Sequence, residues 1–278
     1  MPSILLYVVA FALYAGLAVH FWRTRWSGGE AAGIGPSPFA AWERSVVLGA
    51  IVLHGVLLFR ELVLAPELRL GFALALSATV WLALVIYWGE SLFVKLEGLL
   101  VLLLPLAAVT AVLPALFPGF ATPHYPQRVE FRLHLLVAWL AYSLFTIAAL
   151  HAALMALLER RLHSGTVGGS FASLPPLLTL ESLLFRILGI GFVLLTLTLA
   201  TGIAFHEELF GRPLRLDHKT LFGVLSWVIF CVLLAGRHFQ GWRGRRALRW
   251  TMAGFIALLL AYVGSRFVVE VILGRSLA

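Results

Sequence analysis

Ionisable side chains crowd one short stretch of this chain. His206, Glu207, Glu208, Arg212, Arg215, Asp217, His218 and Lys219 all fall in the interval between two long apolar runs. Charged groups are costly in hydrocarbon, so such a cluster marks a membrane surface and needs a chemical reason. Imidazole ligates metals and carries protons, and guanidinium forks hold carboxylates and phosphates. A second set lies in RLHLLVAWLAYSLFTIAAL, where Arg132 precedes His134 by two residues at the head of an apolar run. A third candidate, His54, stands in the middle of VVLGAIVLHGVLLF with Gly49 and Gly55 as its small neighbours. The candidate ligands are therefore His134 and His218, with His206 in reserve and His54 apart from them. Arg132 and Arg215 are the candidate anion partners.

The remaining histidines invite plainer readings. His124, His163 and His238 sit in polar loops and read as solvated. His20 beside Trp22 reads as an interfacial anchor, and His151 lies near the end of an apolar run that closes on Glu159-Arg160-Arg161. A polar group inside a membrane helix needs a partner, so His54 should face other helices. It either bonds a hydroxyl or carbonyl there or serves as a ligand buried in the membrane.

The elements that must position these groups follow from composition. Of 278 residues, 61% are hydrophobic and 12% charged, and the mean hydropathy is +0.97. Soluble domains are about a quarter charged, so the chain reads as an all-α, polytopic membrane protein. Apolar runs predict about eight transmembrane helices, near 3–22, 43–64, 70–89, 92–116, 131–157, 181–205, 218–236 and 248–273. Residues 3–22 lack a basic lead and a small-residue cleavage site, so they read as a retained first helix. The connectors are too short for a soluble domain, and residues 1–278 are expected to form one membrane domain.

The formal net charge of +8 is not a nucleic-acid signal, because the arginines gather in short loops between apolar runs. The acid-free segment RHFQGWRGRRALR, from Arg237 to Arg249, is expected in the cytoplasm, with both termini outside. That orientation puts His134, His206 and His218 on the outer face. A single cysteine, Cys231, excludes an internal disulfide and a CxxC redox pair.

In the segment from Leu180 onward, Leu180, Arg186, Gly191, Phe192, Leu194, Leu195, Thr196 and Gly202 follow one another with a spacing that resembles the cytochrome c assembly family. The resemblance covers about residues 130–273. It implies haem handling, with His134 as a haem b ligand, Tyr142 at the family tyrosine, and Arg128 and Arg132 beside the propionates. His218 then offers a second imidazole for the iron, and Arg215 another propionate partner. The family's tryptophan-rich loop is replaced by ELFGRPLRLDHKTLFG, in which Gly211, Asp217 and Lys219 alone echo it. Family helices without that loop resemble a YpjD-like branch of bacterial inner-membrane proteins, with LERR near Glu159 and YVGSRFVVEVILG near the C-terminus in its style. The resemblance thus implies a non-enzymatic haem-binding protein whose partners are the lipid bilayer and other cytochrome c maturation or haem-supply proteins.

Two other classes stay open. A solute or ion transporter would use His54, Lys95, Glu97, Arg266 and Glu270, and a membrane scaffold or regulator would use its histidines structurally. Arg266 and Glu270 lie four apart, on one helical face, and are expected to pair. Gly189 and Gly191 in GIGF read as small residues that let helices approach.

Overall fold

The computed structural model describes residues 4–24, 40–65, 68–92, 98–120, 129–160, 176–204 and 218–274, and the backbone alone of 2–3, 97 and 161–163. Among them there are helices and no strands. In chain order they are α1 (Pro2–Trp22), α2 (Ala41–Phe59), α3 (Phe72–Glu90), α4 (Leu100–Leu116), α5 (Val129–His163), α6 (Leu177–Ala204), α7 (His218–Gln240) and α8 (Gly244–Leu259). A π turn, Arg60–Leu64, extends α2. Two more, Leu260–Gly264 and Val268–Ile272, flank Ser265–Phe267 and carry α8 onward.

Seven of these helices are long and apolar enough to cross a membrane. The exception is α4, with 17 residues. At 1.5 Å per residue it spans about 26 Å, a little short of the ~30 Å hydrocarbon core. A 3-10 turn, Glu97–Leu99, adds to its length at the start. The expected fourth span began at 92, but Ser91 closes α3 there. Its N–H donates to the Tyr87 carbonyl and its hydroxyl to the Trp88 carbonyl. The interior prolines of α4, Pro105 and Pro114, are tolerated in a helix whose other face is packed. Leu100, Leu103, Leu104, Ala107 and Ala111 are fully buried, and α1 and α3 supply much of the cover.

Contacts between helix ends set the topology. The start of α1 meets the end of α2 where the Tyr7 hydroxyl donates to Glu61 at 3.1 Å. Gly119, past α4, lies against Gly71 ahead of α3, so close that a Cβ on either would stand 3.1 Å from the other's backbone. The end of α8 reaches α3 through Glu270, and the start of α5 reaches the end of α6 through His134. These contacts define one end of the bundle. The other end holds His20–Glu43, Glu159–Arg245 and Glu181–Arg237. Successive helices are therefore antiparallel, and the first turn of α1 and the last turn of α8 lie at the same end.

The centre is aromatic and small. Phe145 of α5 and Phe230 of α7 stack at 4.0 Å between centroids, both fully buried. Glycines of neighbouring helices make room for them: a Cβ at Gly254 of α8 would stand 2.7 Å from Phe230, and one at Gly191 of α6 3.3 Å from Phe145. Close approach through small residues is how helices associate where lipid supplies no hydrophobic drive. Gly189, the other glycine of GIGF, has open space at its Cβ position.

Candidate functional site

His134 lies one turn into α5 and is partly buried. Its Nδ1 is 2.8 Å from the hydroxyl oxygen of Thr201, in the last turn of α6. The Thr201 hydroxyl also lies 2.7 Å from the Leu197 carbonyl of its own helix. A carbonyl only accepts, so the single hydroxyl proton goes to Leu197 and Oγ1 must accept from His134. The proton of the neutral ring is then on Nδ1, and Nε2 carries a lone pair. Gly202, the next residue, faces the ring: a Cβ there would stand 3.4 Å from His134 Cε1. Sequence reading singled out Gly202 but passed over Thr201. A hydroxyl one turn from a helix end is common, and only the α5–α6 packing gives this one a function.

Cations surround this end. Arg132, two residues earlier on α5 and so turned to a different face of the helix, is exposed. Lys219, in the first turn of α7, is within electrostatic reach of His134 and stands 5.8 Å over the Tyr262 ring. His218 precedes Lys219 and is exposed, so His134 and His218 occupy the same end of the bundle. Arg266 stands 5.7 Å from the centroid of the same Tyr262 ring and 3.6 Å from Glu270. The expected pair on α8 is thus present. Glu270 also accepts the Phe72 N–H at 3.1 Å, satisfying an otherwise unpaired donor at the buried start of α3. These two groups, candidates for a transport path, hold α8 to α3. His206 and Arg215 lie outside the described residues, as do Arg128, Lys95 and the side chain of Glu97.

His54 is elsewhere. It is 1% exposed, and its Nε2 is 2.8 Å from the Ser77 hydroxyl of α3. The last residue of the α2 extension is ten residues on, so His54 lies ~15 Å deep from that end. The Tyr14 ring meets it edge-on at 5.7 Å, and Trp81 lies against neighbouring Gly55. His54 therefore bonds a hydroxyl of another helix, as a polar group in a bundle interior should. Among the described residues its Nδ1 and the Tyr14 hydroxyl are buried without a hydrogen-bond partner. His151 is fully buried with Nδ1 at 3.1 Å from the Ile147 carbonyl.

The opposite end is organised by ion pairs that sequence spacing does not reveal. Glu181 of α6, almost buried, accepts from Arg237 at 2.6 Å and lies 3.5 Å from Arg243. Arg237 also donates to the Trp242 carbonyl at 3.2 Å and covers the Phe185 ring at 4.6 Å. His20, expected to be an interfacial anchor, additionally pairs with Glu43 at 2.8 Å and packs on Trp42. Among the described residues there is no group of three His, Cys, Asp or Glu side chains able to hold a bare metal ion.

These features fit a haem group in one respect. A ligand imidazole needs a free nitrogen lone pair and a partner on the other nitrogen, which His134 and Thr201 supply together.

Comparison with known proteins bears on the same helices. The family profile described as Cytochrome C assembly protein matches residues 45–273. The chain is 34% identical to Inner membrane protein YpjD of Escherichia coli (strain K12) over 175 residues, 62% of this chain and 65% of that protein. It is 38% identical to an uncharacterized 28.8 kDa protein of Azospirillum brasilense over 142 residues, 51% of this chain and 52% of that one. Similarity to Cytochrome c biogenesis protein CcsA of Gloeobacter violaceus is 32% over 92 residues, 33% of this chain and 27% of CcsA. The match thus spans less than two thirds of each relative's own length. No solved structure matches. The family profile extends over well more than half of the chain, from α2 to the end of α8, and the chain belongs to the cytochrome c assembly protein family.

Proposed function

We propose that this chain is a haem-binding protein of the bacterial inner membrane that serves cytochrome c biogenesis without attaching haem itself. The observation that carries this reading is the hydrogen-bond chain from His134 through Thr201 to the Leu197 carbonyl. It leaves Nε2 of His134 as a base at one end of the bundle, within electrostatic reach of Lys219. Family membership supports the role in biogenesis, and the similarity to YpjD supports the inner membrane.

Haem b, when bound, would supply a redox-active iron and two carboxylates. His134, through Nε2, and His218, at the neighbouring helix start, would hold the iron. Arg132 and Lys219 supply positive charge for the carboxylates, and His206 and Arg215 would join them from the α6–α7 connection. Thr201 holds the ring and its proton. His54 belongs to the helix-packing core. The arginine-rich end would face the cytoplasm, which places the His134 end and both termini outside. Handing haem onward would require partner proteins of cytochrome c maturation. The segment ELFGRPLRLDHK has no broad aromatic platform for a porphyrin, so covalent attachment is assigned to a partner.

The test is haem content and the Soret spectrum of the purified full chain in detergent. His134→Ala and His218→Ala should each lower haem recovered with the protein, and His54→Ala and His238→Ala should not. A colourless wild-type protein after haem reconstitution would reject the reading. Equal haem in all variants would reject the ligand assignment.

A further inference from the structure

We propose that the groove between the end of α5 and the start of α8 is a specific binding site for an anionic phospholipid headgroup. It is lined by Ala156, Glu159 and Arg160 of α5 and by Arg245, Leu248 and Arg249 of α8, and encloses about 280 Å³. On each helix the three residues recur at the i, i+3, i+4 spacing of one face, so two stripes confront one another across the groove. Arg245 is held by Glu159, its Nε 2.8 Å from the carboxylate. Arg160 and Arg249 make no ion pair or hydrogen bond among the described residues, and both are exposed.

Two uncommitted guanidinium groups beside a third, compensated one leave the groove a net positive charge. Arginine offers a planar fork of donors that matches the oxygens of a phosphodiester. The floor differs in kind: Ala156 and Leu248 are apolar, and Leu248 is buried in the bundle. A ligand that fits both needs an anionic head and an apolar continuation.

Depth favours a lipid over a soluble anion. Trp242 and Trp250 lie within 5.4 Å of each other beside the groove's own helix, with Arg246 5.2 Å over Trp242. Tryptophans with arginines at a helix start mark the headgroup layer of a bilayer. The first turn of α8 therefore sits where phosphates are already abundant. Lipid held there would tie α8 to α5 at the end opposite His134, so the site is independent of haem.

The experiment measures lipid retention by the full chain. The protein is reconstituted in nanodiscs of phosphatidylcholine with one part in five phosphatidylglycerol, extracted, and its bound lipid read by native mass spectrometry. Wild type should retain phosphatidylglycerol above its share. Arg160→Gln/Arg249→Gln should lower that retention roughly 10- to 30-fold, from about 1 kcal/mol for each basic residue near an anionic surface. A control with the same change of charge at the same end, Arg23→Gln/Arg243→Gln, should retain it. Arg160→Lys/Arg249→Lys keeps the charge but loses the forks, and should fall several-fold. Equal losses in groove and control variants, or full retention by the lysine variant, would mean diffuse surface charge and would overturn the site. Binding of inorganic phosphate that depends on Arg160 and Arg249, without retained lipid, would overturn the lipid assignment.

Discussion

Replacing Thr201 with Val probes the candidate site with the least disturbance to the bundle. Valine keeps the branched shape and removes only the hydroxyl, which accepts from His134 Nδ1 at 2.8 Å and donates to Leu197 within its own helix. A net hydrogen bond of this kind is worth about 0.5–1.5 kcal/mol, or roughly 2- to 12-fold. Partners that orient a histidine ligand contribute about 10- to 100-fold to metal affinity. Together these put the loss of haem affinity at about tenfold, with little change in stability, since Thr201 is partly exposed at a helix end. Thr201→Ser, which retains the acceptor, should bind as wild type does. Affinity is read by haem titration of apoprotein in detergent, and the tautomer separately by ¹⁵N chemical shifts of labelled histidine, with His134→Asn locating the signal. Wild-type haem affinity in Thr201→Val would refute the positioning role. A His134 ring protonated on Nε2 in the apoprotein would refute the tautomer argument, whether or not haem binds.

The remaining predictions concern the frame. Gly254→Ala puts a methyl 2.7 Å from Phe230, which is already stacked on Phe145, and should lower stability by ~1–3 kcal/mol, whereas Gly189→Ala, with open space, should be neutral or mildly stabilising in thermal unfolding. Glu181→Ala leaves Arg237 without its carboxylate. Arg237 is 26% exposed, so the cost should fall below that of a fully buried pair, at ~1–3 kcal/mol, and most of it should vanish in an Arg237→Met background. Glu270→Ala uncaps α3 and frees Arg266, and should speed hydrogen exchange at the Phe72 amide while leaving the arginine-rich end protected.

The class of the molecule and most of its spans were legible in the residues alone. Every apolar run long enough to cross the membrane became a helix, because in hydrocarbon a backbone must satisfy its own hydrogen bonds. The pairing of Arg266 with Glu270 was equally legible, since residues four apart share a helical face whatever surrounds them. The start of α4 was not: the apolar run reads on from Leu92, whereas α4 begins at Leu100 behind the 3-10 turn Glu97–Leu99.

Which groups meet is a matter of packing between helices. His134 and Thr201 are separated by 67 residues, Arg237 and Glu181 by 56, and His54 and Ser77 by 23. Periodicity records which face of a helix is buried, but not the neighbour against which it lies. The rotation and height of each helix follow from the fit of Phe145 and Phe230 between Gly191 and Gly254, and of α4 against α1 and α3. That packing turned Thr201 toward His134, and gave His54 a hydroxyl partner deep in the bundle, because each helix has one arrangement in which its small and large residues interlock.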